Sequence, residues 1–80
     1  MSDDCNTFFM IKKGKEENGR RMTWYKNCIG ENCIFGKFDN AFEVFNSLRK
    51  QFPSVQLLKY IELNGEISGH VVAQTWEDKA

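Results

Sequence analysis

The chain lacks the short motifs that would name a chemistry at once. It has no Gly-x-Ser-x-Gly elbow, no P-loop and no His-Glu-x-x-His, so the usual hydrolase, nucleotide and zinc-protease signatures are absent. Histidine occurs once, at His70, and a lone histidine within a strand is more often structural than catalytic. The two acidic pairs, Asp3-Asp4 and Glu16-Glu17, fall near the N-terminus and on a predicted turn. Neither place holds an acid/base couple rigidly. The reading is therefore non-enzymatic, with no cofactor.

Other scarcities narrow the field further. Three cysteines is an odd number for a disulfide framework, and reduced thiols in a cytoplasm fit better. Cys28 and Cys33 form a C-x4-C pair that Cys5 and His70 could complete as metal ligands. Structural zinc sites use shorter, doubled spacings, so no metal is expected. Charge of one sign is not in excess, with 11 basic and 11 acidic side chains, whereas a dedicated nucleic-acid binder is usually basic. The longest strongly apolar run, Phe8 to Ile11, is far too short to span a bilayer. The start, Met1-Ser2-Asp3-Asp4, lacks the basic and apolar regions of a signal peptide. Repeats, linkers and low-complexity stretches are missing as well. The expectation is one cytoplasmic domain over 1–80, with frayed ends at 1–5 and 77–80.

What the chain does contain is aromatic side chains, 14% of 80 residues. Many sit in strand-like segments. Residues 6–13 are rich in β-formers. Gly14 to Gly19 reads as a turn. Residues 20–27 read as a second strand with Met22 and Trp24 on one side, Thr23 and Tyr25 on the other. Gly30 marks a turn, and 33–38 reads as a short third strand. Helical signals follow. Asp39 or Asn40 is placed to cap, and Asn40 with Glu43 has capping-box spacing. Ala41, Val44, Phe45, Leu48 and Phe52 form one stripe at helical period. Pro53 ends the helix.

Val55 to Leu63 carries apolar residues on both faces, which predicts a central strand. Asn64-Gly65 is a strong hairpin signal. Glu66 to Trp76 returns as the last strand, with Gly69 as a bulge position. The predicted fold is α+β: a mostly antiparallel sheet of about five strands, in the order β-β-β-α-β-β, with a single helix packed on one face.

Area then becomes the deciding quantity. A five-stranded sheet presents a face on the order of 550 Å². A twelve-residue helix shades on the order of 180 Å² of it. Apolar side chains nevertheless occupy both sides of most strands, so one face keeps its aromatics in contact with water. Such a patch marks a contact surface. The expected function is a protein-binding module, an inhibitor or modulator of a larger complex, which also pairs with itself as a homodimer. Anchors come from Trp24, Tyr25, Phe35, Tyr60 and Trp76, because aromatics dominate binding hot spots. Arg20 and Arg21 lie in a stretch with six basic residues from Lys12 to Lys26, and rim charges of this kind act on encounter. Two alternatives remain. Lys12, Lys26, Lys37 and Lys59 with Trp24, Tyr25 and Tyr60 could form a platform for single-stranded nucleic acid. The cysteines could carry a metal or redox site.

Overall fold

The computed structural model of the chain describes residues 5–76. It is an α+β fold of one helix on a four-stranded antiparallel sheet. The strands are β1 (Cys5–Gly14), β2 (Thr23–Trp24), β3 (Ser54–Leu63) and β4 (Glu66–Gln74); the helix is α1 (Phe38–Leu48). Their order across the sheet is β2-β1-β3-β4. The segment 55–63 is central as predicted, between β1 and β4. The molecule is a slab measuring 42 × 37 × 20 Å. Its short dimension holds a helix layer and a sheet layer, each about 10 Å thick, and no third layer among the described residues.

Two predicted strands shrink, for a local reason. The segment 20–27 pairs with β1 only at Thr23 and Trp24. The segment 33–38 makes a single bridge, between Phe35 and Phe9, with hydrogen bonds of 2.8 and 2.9 Å in the two directions. Between them the chain turns back on itself. The Asn27 side-chain oxygen accepts from the N–H groups of Ile29 and Glu31 at 3.0 and 2.9 Å. The Cys33 N–H donates to the Tyr25 carbonyl at 3.0 Å. This Asx-type turn consumes backbone groups that a longer ladder with β1 would need. The sheet therefore has four strands rather than five.

Helix α1 starts earlier than its capping signals indicate. Its N-cap is Lys37, without a side-chain cap, and Asp39 lies in the first turn, where a carboxylate suits the helix dipole. Packing explains the early start. Phe38 meets Phe9 edge-on at 5.7 Å and stacks on Phe42 at 5.2 Å. The predicted stripe otherwise faces the sheet. Ala41, Phe45 and Leu48 are buried against Phe9, Ile11, Val55 and Leu57, with Val44 and Phe52 at the margin. At the C-terminal end the Gln51 and Phe52 N–H groups both donate to the Leu48 carbonyl at 2.9 Å.

The β3–β4 hairpin turns at Asn64-Gly65, both at positive φ (54° and 86°), as that dipeptide predicts. The bulge is not at Gly69. It lies at Val72, because Leu57 pairs with Ala73 while Leu58 pairs with Val71. Gly69 stays in the ladder opposite Tyr60, whose ring covers it; a Cβ there would lie 2.5 Å from Tyr60 Cε1. The last strand ends at Gln74 rather than Trp76. Cys5, expected to fray, is paired with Leu63. The rest of the expected fraying, at 1–4 and 77–80, lies outside the described residues.

Candidate functional site

Alternation along the strands sorts the side chains onto two faces. Odd-numbered β1 and β3 residues such as Ile11 and Leu57 face the helix. Even-numbered residues face away, and their register forms four rungs. Asn6, Glu62 and Ile67 make the first; Phe8, Tyr60 and Gly69 the second. Met10, Leu58 and Val71 make the third; Trp24, Lys12, Gln56 and Gln74 the fourth. Helix α1 touches β1 and β3 on the opposite side and does not reach β4. No described helix lies over these rungs.

The rungs are tied together by aromatic contacts. Phe8 stacks on Tyr60 with ring centres 5.3 Å apart and planes 13° from parallel. Trp24 leans on Tyr60 at 6.4 Å. The Lys12 ammonium sits 4.7 Å above the Trp24 ring, a cation–π contact that also holds the indole in place. Phe8, Met10, Trp24, Leu58 and Tyr60 are each half-buried. They shield one another sideways and leave their outward surfaces in water. Beside them Ile67 and Val71 are exposed. The centre of the face is apolar and its ends are polar, which is the anatomy of an interface.

One end of the face has a lip. Ser54 is fully buried at the start of β3. Its hydroxyl accepts from the Gly19 N–H at 2.9 Å and donates to the Glu16 carbonyl. These bonds fasten the 3₁₀ turn Glu17–Gly19 to the sheet. Trp76 closes over the same turn: a Cβ on Gly19 (φ 76°) would lie 2.6 Å from its indole Cζ2.

The seven predicted site residues, five anchors and two rim charges, are thus divided. Trp24 and Tyr60 come together on the open face. Tyr25 and Phe35 pack on the other side, against the helix-covered core. Tyr25 also lines a groove of about 300 Å³ beside α1, with Val44, Leu48 and Gln51. Trp76 belongs to the lip. Arg20 and Arg21 are exposed on the loop after it, and Arg21 Nε lies 3.4 Å from Glu16 Oε2. Sequence reasoning missed Phe8, Met10 and Leu58 as members of the site and named Lys12 only in the nucleic-acid alternative. Parity could have found them, since each shares its even number with Tyr60 or Trp24 along a paired strand.

The lysines divide as well. Lys12 is on the open face, whereas Lys59 pairs with Phe9 on the helix side and Lys37 caps α1. Cys28 and Cys33 are free thiols, exposed and half-buried respectively. His70 lies on β4 opposite Lys59. Among the described residues no three His, Cys, Asp or Glu side chains converge as metal ligands. No described helix is long and apolar enough to cross a membrane. No protein-family model, curated protein or solved structure matches the chain.

Proposed function

We propose that the protein is a non-enzymatic binding module that docks on a protein partner through the open face of its sheet, as an inhibitor or modulator of a larger complex. One observation carries this reading: Phe8, Tyr60 and Trp24 form a connected aromatic surface with no described helix over it. Rings held by their neighbours lose little freedom when a partner covers them, so their burial goes largely into affinity. The free thiols fit action in the cytoplasm. A photoreactive benzoylphenylalanine in place of Met10, and another in place of Lys50, exposed in the turn after α1, test the surface in a lysate of the source cells. Protein adducts from position 10 and none from position 50 are expected. Equal labelling at both, or none at either, contradicts the reading.

A second reading has one observation in its favour, the Lys12 ammonium over the Trp24 ring. Cation and ring together suit single-stranded nucleic acid. Titration with a labelled oligonucleotide at two salt concentrations checks it, since phosphate contacts must weaken as salt rises.

A further inference from the structure

We infer that the occupant of the open face is a second copy of this chain, laid face to face with its strands antiparallel to the first. This rests on the open face being a docking surface, and it adds who docks and in what register.

The pattern of the rungs carries the register. The rung pair Phe8–Tyr60 and Met10–Leu58 is flanked on one side by Asn6–Glu62 and on the other by Lys12–Gln56. A two-fold axis across the strands, midway between the two inner rungs, exchanges each rung with its counterpart. Phe8 and Tyr60 of one copy then lie on Met10 and Leu58 of the second. Large flat rings meet a thioether and an aliphatic chain, contacts that suit both shapes. Val71 of one copy meets the Tyr60 ring that covers the second copy's Gly69, an aliphatic group on an aromatic face. Lys12 of each copy comes diagonally across from Glu62 of the other, so the one cation and the one carboxylate in these rungs complement each other twice. A parallel arrangement would lay each rung on its own counterpart, bringing both Lys12 side chains into one rung and both Glu62 side chains into another.

Area and charge agree with a self-pair. Three long strands and a short one, at about 4.8 Å per strand and about 3.4 Å per residue, give a plan area on the order of 500 Å². Side-chain relief raises the accessible area towards the roughly 800 Å² that each partner contributes to a stable pair. Two chains of zero net charge also do not repel each other at long range. Area alone does not set affinity; an interface at the small end belongs with transient pairs, and the micromolar range is where its dissociation is sought.

Sedimentation equilibrium of the full chain, with its mass of 9.3 kDa, tests this between low and high micromolar concentration. The wild type is expected to move from monomer to dimer. Tyr60→Asp should weaken the dimer by at least about 30-fold, as a central hot spot does. Lys12→Glu alone, or Glu62→Lys alone, should weaken it roughly tenfold through two lost pairs. The double variant should regain most of that loss. Melting curves confirm that each variant folds. Three results overturn the proposal: a monomer at every concentration, a double variant no better than the singles, or a dimer that ignores these changes. The photoreactive probe separates failures. A monomer that still labels another protein from position 10 keeps the docking face and loses only the self-pair.

Discussion

The two faces of the sheet use similar residues for different ends. On the helix side Ile11, Val55 and Leu57 are 1%, 0% and 0% exposed. On the other side Met10, Leu58 and Tyr60, at the alternate positions of the same strands, are only half-buried. Both sets are apolar. What separates them is the lid. Burial under α1 turns one set into folding energy, at roughly 25 cal/mol per Å² removed from water. The other set keeps that energy in reserve for whatever covers it. A thin core, seven buried hydrophobic side chains among the described residues, is the consequence, and a chain this small can spare little of it.

The sharpest way to break this comparison uses neighbours on one strand. Leu57→Ala should cost about 2–5 kcal/mol, most or all of the roughly 3–5 kcal/mol that a domain of this size holds. Leu58→Ala, in dilute monomer, should cost no more than about 1.5 kcal/mol because its site is already open to water. Urea denaturation of the two variants decides it. Equal losses would mean that the second face is as covered as the first.

A smaller effect is expected at the lip. Ser54→Ala leaves the Gly19 N–H and the Glu16 carbonyl without their buried partner, a cost of about 1–3 kcal/mol. For a domain of this length each 1 kcal/mol lowers Tm by about 4–8 °C. An unchanged Tm would show that the lip is not fastened there. Gly69→Ala should cost about 1 kcal/mol, because the new Cβ forces the Tyr60 ring off its seat. Near-UV circular dichroism should report the displaced ring. The smallest effect belongs to Lys12→Ala, which removes a cation–π contact with Trp24 and at most about 1 kcal/mol of monomer stability.

The hairpin, the helix stripe and the central strand were legible because each has a local cause. Asn64-Gly65 tolerates positive φ, Ala41 to Leu48 repeat at helical period, and the β3 residues alternate with apolar groups on both sides. The aromatic excess on one face was legible as an area mismatch. Membership of that face was not. Trp24 and Tyr25 are adjacent, yet only the ladder with β1, Lys12 against Trp24, decides that the indole looks outward and the phenol inward. Phe35 looked like a strand residue, and its single bridge to Phe9 exists because the Asn27 turn took the neighbouring backbone groups. The start of α1 was equally hidden. It depends on Phe38 meeting Phe9, a contact between residues far apart in the chain.

Quenching of Trp24 fluorescence by acrylamide gives the most direct view of the open face, measured in a Trp76→Phe background so that one indole reports. In dilute monomer, at about 1 µM, the quencher should reach the ring freely; at about 200 µM the quenching constant should fall as a second copy covers it. A constant that holds across that range, with the chain dimeric by sedimentation, would place the contact elsewhere and contradict the account.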